Sequence, residues 1–321
     1  MTIDFKQAAA LLGGWDHILI LTHKRPDGDT IGCAVGLCAL LRQTGKTAWL
    51  HPNEDATELF TPYLEGYLAP AGFAFDKVVA VDVATLDLLT DAERAIADER
   101  GVDLCIDHHP SNTLYAKASC VEADKAACGE IIYKLVGELG TLDDHIAAPL
   151  YVAVSTDTGC FAYANVTANT HAVAAALLER DIPYQAINKR HFRTKSKKRM
   201  KLETILVSSL EELEEGKVVI GALSLADMAR VEATEVDAED IAAVLGQIEG
   251  VKASATIREL KGGECKISLR TDSAYLDACA ACALLGGGGH KAAAGATVKG
   301  DVPAARAAMA EAIGQVLHGG E

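Results

Sequence analysis

The chain has 321 residues, of which 50% are hydrophobic and 23% charged, a composition typical of a folded protein of about two domains. This excludes a disulfide-held peptide, a disordered chain and a fibre. The formal net charge of -15 opposes binding to long polyanions, so no long duplex DNA is expected as a partner. No apolar run approaches the ~18 residues that cross a bilayer, and the start lacks a basic cluster, so we expect a cytoplasmic protein without membrane contact.

In the first part of the chain, short β-prone runs alternate with helical patterns. The β-prone runs span 17–21, 46–50, 78–81 and 103–106, and the clearest helical patterns span 30–43 and 127–139. Strands separated by helices imply parallel crossover connections. We therefore predict an α/β domain over residues 1–187, with a parallel sheet that has helices on both faces.

A second, smaller α/β domain is predicted over residues 211–321. Its strand-like segments span 217–223, 252–259 and 264–270, and a Gly-rich turn follows at 286–289. The stretch 188–210 is predicted to be a basic linker, because eight of the thirteen residues in 189–201 are Lys or Arg and none is acidic. This segment is either a solvated helix face or an electrostatic guide for a polyanionic substrate that enters an active-site cleft between the domains.

The nine cysteines are odd in number and lie mostly in apolar runs, so we expect them to be reduced and buried. Cys279 and Cys282 form a CxxC sequence, but no second pair of ligands lies nearby. Their spacing favours one packed helix face over half of a zinc site. Packing is also preferred to metal ligation for Cys33 and Cys160.

The first group of chemically active residues follows the β-prone run HILIL and precedes an apolar helix. It reads THKRPDGD at 22–29 and places His23, Asp27 and Asp29 in one turn. In an open parallel sheet, ligands bind at the carboxyl ends of the strands. A purely structural interpretation makes Asp29 a helix N-cap and Asp27 a turn residue, which explains each residue alone but not the cluster.

The same pattern recurs along the chain, where further apolar segments deliver a carboxylate or an imidazole at or just beyond their ends. These residues are Asp82, the run Asp107, His108 and His109, and Asp157, which follows a segment at 150–154 that we interpret as another strand. Because the carboxyl ends of parallel strands share one edge of the sheet, we expect these side chains to converge.

Converging carboxylates repel one another, and burying one unpaired costs several kcal/mol, so such a cluster usually holds cations. Mixed imidazole and carboxylate ligands suit a divalent metal such as Mn²⁺ better than calcium or a zinc thiolate site. About six ligands could share two ions ~3.5–4 Å apart if one carboxylate bridges, and such a pair polarises a phosphoryl group and activates water. The sequence therefore points to phosphoester hydrolysis.

Five motifs taken together resemble the DHH phosphoesterase superfamily and its DHH-associated second domain. They are HKRPDGD at 23–29, VDVA at 81–84, DHHP at 107–110, TDTG at 156–159 and GGGGH at 286–290. Within that superfamily the chain is similar to the type that degrades very short RNA oligonucleotides and dephosphorylates adenosine 3′,5′-bisphosphate. The resemblance implies a site with two Mn²⁺ ions.

The resemblance also implies a role for each motif residue. His23 and Asp27 would hold one ion, Asp29, His108 and Asp157 the other, and Asp82 would bridge the two. His109 would contact the scissile phosphate and protonate the leaving oxygen, and Asp107 would orient a ligand imidazole. Gly28, at a variable position between the two aspartates, is expected to loosen the turn.

In the second domain, the resemblance implies that the glycine run binds the terminal phosphate of the substrate. The residues concerned are Gly287, Gly288, Gly289 and His290, with Arg270 as a bidentate partner. The structural alternative is a sharp connection from a helix to a strand. Arg193 or Lys195 of the basic segment could take the place of Arg270.

The preferred function is hydrolysis of very short RNAs and of adenosine 3′,5′-bisphosphate. Aromatic residues make up only 5% of the chain, which argues against a long stacking groove for single strands. The alternatives are hydrolysis of a linear dinucleotide such as pApA, hydrolysis of pyrophosphate, and a nucleotide-binding regulatory module without catalysis. The sequence leaves the oligomeric state open, including a homodimer.

Overall fold

The first unit of the chain, Met1–Thr194, is built on a parallel sheet of five strands. The computed structural model describes residues 1–238 and 241–319. The strands lie in the order β2-β1-β3-β4-β5, with β1 at Ile18–Leu21, β2 at Ala48–Leu50, β3 at Lys77–Val81, β4 at Leu104–Asp107 and β5 at Ala118–Val121. All their pairings are parallel, as predicted.

Eight helices accompany this sheet in the described part of the first unit. They are α1 (Phe5–Gly14), α2 (Gly28–Gln43), α3 (Thr61–Leu64), α4 (Asp91–Arg100), α5 (Cys128–Leu139), α6 (Asp144–Asp157), α7 (Ala168–Leu178) and α8 (Tyr184–Phe192). Side chains alternate across the strands, so Ile18 and Ile20 pack in the core with α1, α2, α5 and α6, whereas Leu19 and Leu21 pack in the core on the α4 side. Helices therefore cover both faces of the sheet, as the sequence predicts.

One predicted element is wrong. The segment 150–154, which we interpreted as a strand, is part of helix α6, capped by the Asp143 side chain accepting from the Ile146 amide at 3.0 Å. A short, fully apolar run fits a buried helix as well as a buried strand, so periodicity alone does not separate them. Asp157 therefore reaches the site from the end of a helix.

Helices α2 and α6 pack antiparallel at very short range. A Cβ atom at Gly32 would lie 2.8 Å from the Ala153 amide nitrogen, and one at Gly36 would lie 2.8 Å from Leu150 Cδ2. Only glycine allows the two helix backbones to approach this closely. Because the helices run in opposite directions, the last turn of α6 lies beside the first turn of α2.

The second unit begins at Lys195 and contains a mixed sheet of six strands. The strands lie in the order β10-β11-β9-β8-β7-β6, with β6 at Glu211–Leu213, β7 at Val218–Leu223, β8 at Ala253–Leu260, β9 at Glu264–Thr271, β10 at Gly288–His290 and β11 at Ala293–Lys299. Its helices are α9 (Lys197–Ser208), α10 (Leu225–Arg230), α11 (Ala278–Ala283) and α12 (Val302–His318). Among the described strands of this sheet, β7 and β8 alone pair in parallel. This is the smaller α/β domain that the sequence predicts, although the predicted end at 321 lies outside the described residues.

The basic segment is more ordered than a linker. Its first residues end α8, and its second half begins α9. Lys195 and Arg199 pair with Glu203 at 2.8 Å each, so part of the positive charge is neutralised within the second unit. In the described ranges, no helix is both long enough and apolar enough to traverse a bilayer.

Candidate metal centre

The loop after β1 brings His23 and Asp27 together at the carboxyl edge of the sheet. Asp27, not Asp29, is the N-cap of α2, because its Oδ1 accepts the Asp29 and Thr30 amides at 3.0 and 3.1 Å. His23 Nδ1 lies 2.9 Å from the Lys24 carbonyl oxygen, which leaves Nε2 as the acceptor nitrogen. Nε2 lies 3.6 Å from Asp27 Oδ1.

Asp82 follows β3 in the left-handed region, with φ of 58°, and its side chain is 2% exposed. Its two oxygens face three imidazole rings. Oδ2 lies 3.8 Å from His23 Nε2, and Oδ1 lies 3.5 Å from His108 Nε2. Oδ1 has no hydrogen-bond partner among the described residues, which is a costly state for a buried carboxylate unless a cation is bound.

The run after β4 places the two histidines differently. His108 Nδ1 donates to the Lys125 carbonyl oxygen at 3.1 Å, so its Nε2 is free to face the carboxylates. His109 Nδ1 instead donates to Asp107 Oδ1 at 2.7 Å. Asp107 also accepts the amides of both histidines and, at 2.6 Å, the Asn112 side chain. The imidazole that Asp107 contacts is therefore that of His109.

Helix α6 contributes the last member of the cluster. Asp157, its last residue, lies with Oδ2 3.5 Å from His108 Nε2. The structure thus brings all six predicted ligands together, in groups whose donor atoms lie within 4.8 Å of one another. The groups are His23, Asp27 and Asp82; Asp29, His108 and Asp157; and Asp82, His108 and His109. The shared position of Asp82 and the mixed donor set fit divalent cations.

Burial and mutual repulsion change the titration of this cluster when no cation is present. Burial, followed by the charge of Asp157, raises the pKa of Asp29 to about 7. Burial, together with the nearby Asp29, also holds the pKa of Asp82 well above its usual range. The pKa of Asp157 is raised, again chiefly by burial. Carboxyl groups whose pKa values are raised in this way release protons when they bind cations.

Asp29 has a second role that the sequence did not reveal. Helix α5 begins after Ala127, whose side chain cannot cap it, and Asp29 supplies the missing acceptor. Its oxygens accept the amides of Cys128 and Gly129 at 2.7 and 3.0 Å, and the Cys33 thiol at 3.1 Å. The fully buried Asp29 carboxylate is therefore held rigidly before any ion binds.

Gly28 tightens the site and does not loosen it. A Cβ atom at this position would lie 2.7 Å from Thr156 Cβ, so the residue next to Asp29 packs directly against the residue next to Asp157. Gly28→Ala is expected to destabilise the protein by ~1–3 kcal/mol through overpacking and to weaken metal binding. Urea denaturation and metal titration test this.

The control for that substitution is Gly14→Ala, because an added Cβ at Gly14 meets no atom within 4 Å. It should leave stability almost unchanged or increase it slightly. If Gly28→Ala has no larger effect than Gly14→Ala, the close contact with Thr156 does not constrain the site.

In the second unit, two of the predicted phosphate-binding residues share one face of the sheet. Arg270 on β9 is in register with Ala293 on β11, which is in register with His290 on the edge strand β10. Directly paired residues point to the same face, and two strand spacings separate Arg270 from His290 by ~10 Å. Both side chains are exposed.

The glycines of the same motif have different surroundings. The Gly287 amide donates to the Cys282 carbonyl oxygen at 2.9 Å, so it is not free for an anion. Gly289 has φ of +146°, and a Cβ there would lie 2.6 Å from the Ala293 carbonyl oxygen. A Cβ at Gly288 meets no atom within 4 Å. Packing and the turn from α11 into β10 thus explain Gly287 and Gly289, and Gly288 is the open position.

Comparison with known proteins agrees with this architecture. The model of the DHH family N-terminal domain matches residues 17–154, and the model of the DHHA1 domain matches residues 215–318. A protein of Thermus thermophilus, named bifunctional oligoribonuclease and PAP phosphatase NrnA, is 32% identical over 94% of this chain and 90% of its own length. The chain belongs to the DHH family. It is a hydrolytic phosphoesterase.

Further relatives of this DHH phosphoesterase bear the same or a similar name. The NrnA protein of Bacillus subtilis is 24% identical over 88% of this chain and 90% of its own length. A probable NrnA of Streptococcus mutans is 28% identical over 91% of this chain and 93% of its own length.

Two solved structures share the fold. An exopolyphosphatase-related protein from Bacteroides fragilis has a TM-score of 0.84 at 22% identity, covering 97% of this chain and 95% of its own. The exonuclease RecJ bound to manganese has a TM-score of 0.51 at 16% identity, covering 98% of this chain and 95% of its own.

Proposed function

We propose that this chain is a Mn²⁺-dependent phosphoesterase that hydrolyses very short RNAs to mononucleotides and removes a phosphate from adenosine 3′,5′-bisphosphate. The names of the relatives, oligoribonuclease and PAP phosphatase, support these two substrate classes. The observation that carries the proposal is the buried Asp82 carboxylate, which has an oxygen without a partner among the described residues and is shared by two ligand groups.

Two Mn²⁺ ions are proposed for the cluster. His23 and Asp27 would hold one ion, Asp29, His108 and Asp157 the other, and Asp82 both. When bound, such ions polarise the phosphoryl group and lower the pKa of a water molecule. The chain itself supplies rigid ligand orientation, since the Nδ1 atoms of His23 and His108 are held by backbone carbonyl oxygens.

His109 is proposed to protonate the leaving oxygen. Its side chain is 41% exposed, so the ring can meet a substrate, whereas Asp107 is fully buried and can only position it. The hydrogen bond with Asp107 raises the pKa of His109, which favours the protonated ring that an acid requires. The same hydrogen bond occupies Nδ1 and leaves Nε2 as the nitrogen that carries the transferred proton.

Metal binding is expected to release protons. Burial raises the pKa of Asp29 to about 7 and also raises the pKa values of Asp82 and Asp157. The metal-free cluster therefore keeps protons to a higher pH than ordinary carboxyl groups do, and a cation must displace them. Calorimetric titration with Mn²⁺ in two buffers of different ionisation enthalpy should give more protons released at pH 6 than at pH 8.5. Release of the same number of protons at the two pH values would contradict the assignment of these carboxyl groups as ligands.

The same shifts predict how stability changes with pH. A carboxyl whose pKa is raised on folding binds more protons in the folded state, so the stability of the metal-free protein should fall as the pH rises from about 5 to 8. Thermal melts after chelation should show this loss, and added Mn²⁺ should reverse it.

A substrate panel with Mn²⁺ tests the proposed function. We expect turnover of dinucleotides and of adenosine 3′,5′-bisphosphate, with slower turnover of longer RNA. If a fluorescent dinucleotide stays intact, the proposal is wrong. Turnover of pApA without other dinucleotides would favour the linear-dinucleotide alternative, turnover of pyrophosphate alone would favour a pyrophosphatase, and nucleotide binding without turnover would favour the regulatory module.

In the second unit, we propose that Arg270 and His290 hold the terminal phosphate of the substrate beside the open Gly288. This assignment is supported by their common face and exposure. Arg193 and Lys195 are the alternatives, but Lys195 already pairs with Glu203. Arg270→Gln should raise KM for substrates with a terminal phosphate more than for those without one, and Lys195→Gln should change neither.

A further inference from the structure

Tyr163 is an unusual surface residue. Its side chain is 61% exposed, and the only other exposed aromatic side chain among the described residues is Tyr184, at 41%. None of the hydrogen bonds found in the described ranges involves the Tyr163 hydroxyl group. The ring therefore offers a face to solvent without a partner of its own.

The Tyr163 ring packs against the backbone of Gly159. A Cβ atom at Gly159 would lie 2.8 Å from Tyr163 Cδ1, so the ring rests on the glycine backbone. The Tyr163 amide donates to the Thr158 carbonyl oxygen at 3.0 Å. An exposed aromatic ring that is already fixed loses little conformational entropy when a ligand covers it.

The loop that carries Tyr163 has an enforced backbone shape. Gly159, Cys160 and Phe161 follow one another in the left-handed region, with φ of 56°, 56° and 66°. Two of the three are not glycine, which costs energy and persists only where the surroundings hold the backbone in place. Phe161 packs against the main core of the first unit and stacks on His171, which supplies that anchor.

The loop is also tied to the candidate metal centre. It begins directly after Asp157, and the Asn165 side chain closes it by donating to the Asp157 carbonyl oxygen at 3.1 Å. The same side chain amide donates to the Ala126 carbonyl oxygen at 2.9 Å, next to the start of α5. The Tyr163 ring and the proposed ligand Asp157 thus belong to one short segment, which the two Asn165 hydrogen bonds stabilise.

We propose that Tyr163 is a stacking platform for a nucleobase of the substrate, next to the phosphate that is cleaved. A nucleobase is favoured because it is planar and because one aromatic ring can stack on any base without sequence preference. A single platform, in a chain with few aromatic residues, suits a substrate of very few nucleotides. This inference rests on the proposed function and adds to it how the base is bound.

The test compares three variants on two matched substrates. Tyr163→Ala removes the ring, Tyr163→Phe keeps it, and Tyr184→Ala is the control for loss of another exposed tyrosine. The substrates are a dinucleotide and the same dinucleotide with abasic sugars. Tyr163→Ala should raise KM for the normal dinucleotide about tenfold with little change in kcat, whereas the other two variants should resemble the parent.

On the abasic dinucleotide, the parent and Tyr163→Ala should behave alike, because no base is present to stack. An equal loss on both substrates, or an equal loss in Tyr163→Phe and Tyr163→Ala, would overturn the proposal. If light scattering shows that Tyr163→Ala changes the oligomeric state, and its activity falls for that reason, Tyr163 lies in a subunit contact and the proposal is wrong.

A binding measurement separates this inference from the proposed function. Calorimetry with AMP and with ribose 5-phosphate, in the absence of turnover, should show tighter binding of AMP to the parent and no such preference in Tyr163→Ala. If the parent hydrolyses no dinucleotide but this difference is present, the stacking platform stands and the proposed reaction fails. If dinucleotides are hydrolysed but the preference is absent, the platform fails alone.

Discussion

Asp82→Asn is expected to lower turnover by ~10³-fold or more and to abolish binding of at least one metal ion. Asp82 belongs to two of the three candidate ligand groups, and its carboxyl group is proposed to bind both ions. The several kcal/mol that a metal site contributes to phosphoryl transfer corresponds to the expected loss. Asn is the substitution of choice because φ at this position is 58°, a region that Asn tolerates far better than Ala.

The same variant has a second expected result that a damaged fold would not give. Without metal, Asp82→Asn should melt at a temperature no lower than that of the metal-free parent, because a neutral amide of the same shape replaces a buried carboxyl group beside Asp29. Asp76→Asn is the matched control, since the Asp76 side chain is 75% exposed and should affect neither property. Turnover of Asp82→Asn within tenfold of the parent would contradict its place in the centre.

The second large effect is expected for His109→Gln. Removing a general acid should reduce kcat by ~10²–10⁴-fold while metal binding is retained. His145→Gln, at an exposed position on α6, is the control. If His109→Gln instead loses a metal ion, His109 is a ligand together with Asp82 and His108, an arrangement that the distances also allow.

Asp107→Asn tests the proposed general acid, His109, without removing its imidazole ring. Since the Asp107 hydrogen bond raises the pKa of His109, its loss should lower that pKa. The protonated ring is the active form, so activity declines as the pH rises through the pKa, and this decline should move to lower pH in Asp107→Asn. An unchanged pH profile would mean that Asp107 has only a structural role.

Much of the first unit could be predicted because its chemistry depends on the ends of buried strands. The runs before His23, Asp82 and Asp107 are apolar and bounded by polar residues, and each forms a strand within two residues of the expected limits. The parallel order then follows from the intervening helices. Convergence at one edge of the sheet is a consequence of that topology.

The route to Asp157 could not be predicted in the same way. A fully apolar run before it matches both a strand and a buried helix, and α6 is a helix because it packs against the glycines of α2. That contact involves residues more than 100 positions apart, such as Gly32 and Ala153. The local sequence pattern before Asp157 contains no information about this contact between α2 and α6.

The finer interactions of the site also depend on distant contacts. Asp29 caps α5 through the Cys128 amide, 99 positions away, a contact that the sequence around Asp29 did not indicate. Gly28 looked like a source of flexibility, and it is instead a point of close packing. Residue type predicted which side chains could bind a metal, but only the tertiary structure identifies what orients each of them.

We propose that six side chains of the first unit together hold a pair of ions. Anomalous diffraction at the manganese edge, from crystals grown with Mn²⁺, tests it most directly. Two peaks are predicted, one beside His23 and Asp27 and the other beside His108 and Asp157, with Asp82 in contact with both. A single peak that does not involve Asp82, or no peak in this cluster at full Mn²⁺ loading, would contradict the account.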